Sequence, residues 1–318
     1  MRITGQLIDT ATGAHIWADR FDGALDDIFE LQDQVASTVA GTLEPRLRGA
    51  ETERALRKPT QSLDAYDLYL RGLAQFHHLT PAELQEAVRL AERALAIDPS
   101  YGPAAALAGW CRLYQMAQGW LRNTPELAAT ALRFAKQAID HGRDDPDALW
   151  MAAHMIGHIS GDQAAATAAI ERALALNPNA AQAWSIRGWI HNYLDEANPA
   201  VVAFERALRL SPLDPLGYVA KAGLARAHLT AGRYDEAMRW VDQANLEQPR
   251  FATSLWIKVV LCELTGRHHE AVAWLMSLLE ASPGFSIDLF QAYSTHHYTS
   301  SLRALYIDAF RKAGLPER

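Results

Sequence analysis

The chain has 318 residues, of which 49% are hydrophobic and 21% charged, a composition typical of a globular protein. The formal net charge of -7 argues against nucleic acid as a partner, because phosphate binding requires clustered Lys and Arg. Cys111 and Cys262 have no metal-type spacing, so we expect free thiols in a reducing compartment. No secretory signal and no apolar run of about 18 residues occurs, which predicts a soluble, cytoplasmic protein without a membrane partner.

The first segment of the chain has the pattern of a β-hairpin followed by a helix. Residues 2–9 alternate apolar and polar side chains, residues 10–13 predict a turn, and residues 15–21 predict a second strand. A helix is expected over 26–57, with one apolar face formed by Ile28, Leu31, Val35, Val39 and Leu43. Because two isolated strands are marginal in water, we interpret residues 1–58 as part of a larger α/β domain. The unpaired strand edges predict self-association.

A sequence motif, in which an apolar helical segment is followed by proline, recurs along the rest of the chain. It reads AERALAIDPS at 91–100, IERALALNPN at 170–179 and FERALRLSPL at 204–213. The prolines that mark the period lie 47, 32, 34, 37 and 34 residues apart, at Pro99, Pro146, Pro178, Pro212, Pro249 and Pro283. Proline ends one helix and is tolerated in the first turn of the next. Each period therefore predicts a pair of helices.

Small residues within each period predict where the two helices touch. In the unit that begins at 181, Gly188 and Ala200 allow a close approach, and Trp184 and Phe204 are expected to fill the space around it. This pattern resembles the tetratricopeptide repeat, a helix–turn–helix unit of about 34 residues. The resemblance implies an all-α fold, a right-handed superhelix of about six helix pairs over 59–284.

Two departures from a regular array are expected. The second unit is longer than the others, and its extra residues predict a longer turn around 118–124. Residues 285–318 predict an atypical helical tail that caps the exposed face of the last pair, as solenoids require.

A second resemblance covers nearly the whole chain. The segment ITGQLIDTATGAHIWADRFDGALDDIFELQDQVA looks like the last hairpin and helix of a TolB-like domain. With LDAYDLYLRG and FERALRLSPLDPLGY, the chain is similar to the TolB-like plus tetratricopeptide region at the C-terminal end of bacterial class III adenylate/guanylate cyclases. Winged-helix regulators with the same tail are also similar. The catalytic and DNA-binding modules of those proteins have no counterpart in this sequence, so their activities are not carried over.

The residue types that carry chemistry do not form catalytic or metal-binding patterns. His154 and His158 share a helix face, but the zinc-protease motif requires Glu after the first His, and Met155 stands there. Because no third ligand is evident, we favour packing or surface roles over a metal site. No P-loop, nucleophile elbow or dinucleotide fingerprint occurs. We therefore expect no enzyme activity, no metal and no cofactor.

A tetratricopeptide array is expected to bind its partner on the concave face, which the first helix of each repeat lines. The period counted from 181 places a mixed aromatic, polar and charged set on that face: Gln182, Ser185, Trp189, Asn192, Arg226, Trp256 and Glu263. Such a mixture is typical of an interaction hot spot. Packing of Trp189 and Trp256 between neighbouring repeats is the alternative, with about equal weight.

The function that these patterns favour is a protein–protein interaction scaffold. We expect it to hold a protein or peptide, as a regulatory or adaptor module in bacterial signalling. The alternative is a separated or truncated regulatory part of a cyclase or a transcriptional regulator whose effector domain is missing here. The DNA upstream of Met1 discriminates between the two, because an in-frame continuation would favour the fragment.

Overall fold

The computed structural model describes residues 2–8, 15–22, 49, 51–52, 64–212 and 214–318. Strands β1 (Arg2–Ile8) and β2 (His15–Asp22) pair antiparallel, with Arg2 opposite Asp22 and Leu7 opposite Trp17. The predicted turn at 10–13 and nearly all of the predicted helix over 26–57 lie outside the described residues.

From residue 65 onwards the chain forms helices that pack as successive pairs. The first three pairs are α1 (Ala65–His77) with α2 (Pro81–Ile97), α3 (Gly102–Ala117) with α4 (Pro125–His141), and α5 (Pro146–Met155) with α6 (Gln163–Leu176). A π-helical turn (Ile156–Ser160) extends α5. The next three are α7 (Ala181–Tyr193) with α8 (Ala197–Leu210), α9 (Gly217–Thr230) with α10 (Tyr234–Glu247), and α11 (Ala252–Leu264) with α12 (His268–Ala281). The predicted solenoid of about six helix pairs is confirmed.

Two further helices follow the sixth pair, α13 (Ile287–Ser294) and α14 (Ser300–Ala313). Helix α14 packs against α11 and α12, so it lies on the last pair. Phe285 and Phe290 join it there, with ring centroids 5.8 and 5.0 Å from that of Phe310. None of the helices in the described ranges is long and apolar enough to cross a bilayer.

Local sequence explains where the helices begin. The hydroxyl of Thr80 accepts a hydrogen bond from the backbone N–H of Glu83, and proline occupies the first position of α2. Thr124 caps α4 in the same way, by accepting from Leu127. Each such cap satisfies a backbone donor that a helix start leaves unpaired, and a cap contributes about 1 kcal/mol.

The fourth and fifth helix pairs meet around one phenylalanine. The ring of Phe204 on α8 lies against Gly188 of α7 and Gly223 of α9, and a Cβ added at Gly188 would lie 2.7 Å from ring atom Cε1. Ala200 and Phe204 are fully buried, which confirms the predicted close approach. Trp184 differs from the prediction: it is half-buried, and its Nε1 donates to the carbonyl of Pro178 at 2.8 Å.

The longer turn of the second pair bridges to the sixth pair. It spans residues 118–124, as the extra residues predicted. Trp120 Nε1 donates to the carbonyl of Ala281 at 3.2 Å, and Gln118 Oε1 accepts from the N–H of Ala252 at 2.8 Å. The solenoid therefore closes on itself across its concave side.

Candidate functional site

The concave face is formed by the first helix of each pair. Helices α1, α3, α5, α7, α9 and α11 contact one another in succession and make up the inner layer. This face has two parts, one open to solvent and the other covered by the chain itself. Next to the first pairs it contains an open cavity, and next to the last four pairs it is covered by the C-terminal part of the chain.

The open cavity has a volume of about 420 Å³. It lies between α1, α3 and α5 and the starts of α7 and α9. Residues of six segments surround it: Gly49, Thr52, Leu73, Ala74, His77, His78, Trp110, Asp147, Trp150, Met151, Asn179, Ala180, Ala181, Gln182, Asp214, Pro215 and Leu216. A volume of this size is sufficient for one or two side chains of a partner.

Two tryptophans form the floor of the open cavity. The Trp110 ring stacks on Phe76 with centroids 4.2 Å apart and meets Trp150 edge-on at 4.7 Å. Trp110 Nε1 donates to His154 Nδ1 at 3.0 Å, and Trp150 Nε1 donates to Asp147 Oδ1 at 2.9 Å. Both rings are buried and both indole N–H groups bond within the protein, so the floor presents no free donor to a ligand and favours an apolar side chain.

Polar groups lie at the rim of the cavity. The rim includes two carboxylates, Asp147 and Asp214, together with Asn179 and Gln182. Asp214 is held in place because its Oδ1 accepts from the N–H of Leu216 at 2.8 Å. No Lys or Arg is among the described residues that line the cavity. The rim is therefore complementary to a cationic or hydrogen-bond-donating group.

The second part of the concave face is covered by residues 293–299, which we call the clasp segment. The ring centroid of Tyr293 lies 5.1 Å from those of His158 and Trp256. His297 Nε2 donates to the backbone carbonyl of His158. The backbone N–H of Thr299 donates to an Asp195 carboxylate oxygen at 3.4 Å. One short segment thus contacts the third, fourth and sixth helix pairs.

Arg226 of α9 is the charged group beneath the clasp segment and is 2% exposed. Its guanidinium donates to the carbonyl of Asn192 at 2.9 Å and to the carbonyl of His297. It also lies 4.0 Å from the centroid of the Tyr298 ring, a cation–π contact. The Asp195 carboxylate is 3.9 Å away. Both hydrogen bonds of this buried cation therefore go to neutral carbonyls.

Three histidines line the same interface: His154 and His297 are buried, and His158 is half-buried. Tyr193 Oη lies 2.9 Å from His158 Nδ1 and 3.4 Å from His154 Nε2. Burial lowers the pKa of His154 to about 3 and the pKa of His297 to about 3. Burial also lowers the pKa of His158 well below its usual value, and the neighbouring His297, His154 and Arg226 add to the effect. All three imidazoles are therefore neutral at pH 7.

The structure places the sequence-predicted groove residues in different surroundings. Gln182 is half-buried and lines the open cavity. Glu263 is paired with His268, whose Nδ1 lies 2.7 Å from Glu263 Oε1. The other members of the set are buried: Ser185, Trp189, Asn192, Arg226 and Trp256. The burial of Trp189 and Trp256 agrees with the alternative that they pack between neighbouring repeats and contradicts their exposure on the concave face. Partner binding by this set stays a prediction.

Sequence reasoning missed the residues around the open cavity, although a signal for some of them exists. Met151 lies 34 residues before Ser185, and Trp150 lies 34 residues before Trp184. Extending the period towards the N-terminus would have placed this earlier set on the inner helices. No comparable signal marks the clasp segment, since it lies outside the repeats.

Neither the histidines nor the cysteines form a metal-binding cluster. Across the described ranges, no group of three or more His, Cys, Asp and Glu side chains is arranged to hold an ion. Cys111 and Cys262 are unpaired and buried, and burial raises the pKa of both thiols. Their sulfurs are poor nucleophiles in this state.

Comparison with known proteins identifies the repeat. Residues 195–256, which include α8, α9 and α10, match the family model described as tetratricopeptide repeat. This segment carries the tetratricopeptide repeat. The fold agrees with a solved structure of the APC/C hetero-tetramer Cut9-Hcn1, with a TM-score of 0.56 and 14% identity. That match covers 87% of this chain and 47% of the other.

Two curated relatives are longer proteins. The chain is 35% identical over 146 residues to "Putative adenylate cyclase 3" of Rhizobium meliloti, a match to 46% of this chain and 25% of the relative. It is 25% identical over 212 residues to the transcriptional regulator HilA of Salmonella typhimurium, which covers 66% of this chain and 37% of that protein. The matched region thus spans between a quarter and two fifths of the relatives' length.

Proposed function

We propose that the chain is a non-catalytic scaffold that binds a segment of another protein in the open cavity. The observation that carries this proposal is the apolar floor of Trp110 and Trp150 beneath a rim with two carboxylates and no Lys or Arg among the described lining residues. Tetratricopeptide repeats form extended concave surfaces of the kind used for such binding. Gln182 belongs to both the sequence-predicted set and this cavity.

The chemistry of the cavity defines the partner. A bulky apolar side chain would fill the floor, and an adjacent Lys or Arg would pair with the rim at Asp214. The net charge of -7 favours the approach of such a basic segment. We therefore propose a cytoplasmic protein partner with an apolar anchor beside a basic residue, and neither nucleic acid nor a membrane.

The signalling context is the finer part of the proposal. The 35% identity to a protein named as an adenylate cyclase supports an adaptor or regulatory role beside such an enzyme. The second candidate is that the chain is the regulatory part of a longer cyclase or transcriptional regulator, favoured because the match covers only 25% of the cyclase relative. An in-frame continuation upstream of Met1 in the genomic DNA would support this second candidate.

Selection from a displayed library of random linear peptides on the immobilised chain tests the cavity. We expect enriched peptides to carry a large apolar residue next to Lys or Arg. Ala74→Trp places a large side chain in the cavity and should abolish their binding, whereas Ala168→Trp on the exposed side of α6 should not. Enrichment of acidic peptides, or binding that survives Ala74→Trp, would contradict the proposal.

The β1–β2 strand pair supports a separate proposal of self-association. In the described part of the chain each strand pairs only with the other, so a second copy could extend the sheet. Light scattering should show a concentration-dependent mass for the full chain and a constant mass for a chain that begins at residue 59. A monomeric full chain at all concentrations would contradict this.

A further inference from the structure

We propose that the turn at residues 118–124, which we call the bridging turn, caps both helices of the sixth pair from a distance and thereby fixes the curvature of the superhelix. In a regular array each helix pair contacts only its neighbours, so the curvature is the sum of small rotations from one pair to the next. The bridging turn adds a direct contact between the second and the sixth pair.

The first helix of the sixth pair begins without a side-chain cap of its own. Phe251 precedes α11 and has no polar side-chain atom that could accept a hydrogen bond from the helix start. The backbone N–H of Ala252, the first residue of α11, donates instead to Gln118 Oε1 at 2.8 Å. Gln118 therefore caps α11 although it lies 134 residues away in the chain.

The bridging turn also supplies a donor to the second helix of the sixth pair. Ala281 is the last residue of α12, where backbone carbonyls have no partner within the helix. Trp120 Nε1 donates to this carbonyl at 3.2 Å. Because α12 returns alongside α11 after a short turn, the start of α11 and the end of α12 lie at the same end of the pair. One turn of the chain can therefore cap both.

A glycine lets the bridging turn approach the sixth pair closely. Gly119 lies between the two capping residues and has a φ of 72°, a conformation that favours glycine. A Cβ at this position would overlap the Oγ of Ser282, which follows α12 and is 1% exposed. The backbone of the turn thus lies directly against the end of α12.

The bridging turn is itself fixed to α3 by backbone hydrogen bonds. The N–H groups of Trp120 and Leu121 both donate to the carbonyl of Gln115, at 2.9 and 3.0 Å. The N–H of Gln118 donates to the carbonyl of Tyr114 at 2.8 Å. Since the turn cannot move independently of α3, a change in curvature that separates the second pair from the sixth would break both caps.

Amide hydrogen exchange, measured by mass spectrometry on the full chain, tests the proposal. Gln118→Met combined with Trp120→Phe removes both caps and keeps side chains of similar size. Trp184→Phe is the matched control, because Trp184 is also half-buried and its Nε1 donates to a nearby carbonyl, that of Pro178. Circular dichroism and melting establish that each variant folds, and Trp120→Phe alone is measured if the double variant does not.

We expect amides at the start of α11 and at the end of α12 to exchange at least about tenfold faster in the double variant, and about fivefold faster in Trp120→Phe alone, because each lost hydrogen bond removes part of their protection. Amides of α6, in the third pair, should stay within about twofold of their original rates. Trp184→Phe should leave the exchange of the sixth pair within about twofold as well.

A pair of glycine variants separates the remote contact from local strain. Gly119 and Gly232 have the same φ of 72°, but a Cβ at Gly232 would have no neighbour within 4 Å. Valine strains both turns, whereas only Gly119→Val also pushes the second pair away from the sixth. Gly232 lies in the fifth pair, so an array with neighbour contacts alone predicts that Gly232→Val has the larger effect on the sixth pair. We expect the opposite order, with exchange in α11 and α12 at least about fivefold faster in Gly119→Val than in Gly232→Val. Small-angle X-ray scattering should show a larger radius of gyration for Gly119→Val.

Three results would overturn the proposal. The first is unchanged exchange of α11 and α12 in the variants that lack the caps. The second is an equal acceleration in α6, which would indicate a general loss of stability. The third is a larger effect of Gly232→Val than of Gly119→Val on the sixth pair.

Discussion

The two parts of the concave face are built from the same kind of inner helix, yet one is open and the other is covered. In the open part the tryptophan N–H groups bond to His154 and Asp147, and the rings face a cavity of about 420 Å³. In the covered part Trp189 and Trp256 have unpaired N–H groups beneath the clasp segment. The phase of a residue along the repeat therefore predicts the face on which it lies but not what lies over that face.

The largest expected effect comes from the contact between the fourth and fifth helix pairs. Ala200 is fully buried on α8, one turn from Phe204. Ala200→Arg forces a charged side chain into this contact and should lower the free energy of unfolding by more than about 3 kcal/mol. Urea denaturation followed by circular dichroism measures the loss. The matched variant Ala168→Arg, at an exposed position of α6, should change it by less than about 0.5 kcal/mol. Similar stabilities for the two variants would refute the assigned packing of α7 and α8.

The second prediction concerns Trp189, which we expect to be a core residue of the covered part. Trp189 is 5% exposed, and its ring centroid lies 5.8 Å from that of Phe204. Trp189→Ala should therefore cost about 3–5 kcal/mol, as truncations of buried aromatic side chains do. Trp184→Ala, at a half-buried position of the same helix, should cost less than half as much. A loss below about 1 kcal/mol for Trp189→Ala would indicate that this side chain is accessible to water. The two parts of the concave face would then not differ in the way described.

Local contacts within the repeats can be predicted from the sequence, whereas contacts of the clasp segment cannot. Helix starts such as Thr80–Pro81 and close contacts such as Gly188 with Phe204 depend on residues within one repeat or its neighbour, so a local pattern predicts them. The clasp segment depends on contacts such as that of His297 with His158, which are 139 residues apart. No periodicity links such positions. The residues that the clasp segment covers were therefore predicted on the correct helices but with the wrong accessibility.

The third prediction concerns two buried histidines at the interface with the clasp segment, His154 beneath it and His297 within it. In the unfolded chain a histidine has a pKa near 6.5, whereas burial lowers the pKa of His154 and of His297 to about 3. Between these values only the unfolded chain binds the proton, so stability is complete above about pH 6.5 and falls as the pH decreases. At pH 5 each of these histidines should cost about 2 kcal/mol relative to pH 7.5.

His154→Gln tests this assignment because the glutamine amide oxygen can still accept from Trp110 Nε1. The difference between the unfolding free energies at pH 7.5 and pH 5 should shrink by about 2 kcal/mol in this variant. His269→Gln, at an exposed position of α12, should leave the difference unchanged. If His154→Gln left it unchanged as well, the imidazole of His154 would have to be accessible to water in the folded protein.

The smallest effect on stability is expected in the open part. Gln182 is half-buried at the cavity rim, so Gln182→Ala should change the free energy of unfolding by less than about 0.5 kcal/mol. If the cavity binds the selected peptides, loss of this rim group should weaken their binding by roughly threefold to tenfold, the equivalent of one hydrogen bond. Trp189→Ala should instead destabilise the protein strongly, in contrast to the small change in stability expected for Gln182→Ala. Peptide titration by anisotropy, with urea denaturation of the same preparations, measures both quantities. Peptide binding that is insensitive to Gln182→Ala would place the partner away from this rim, even though the residue lies on the face that the repeat period predicted.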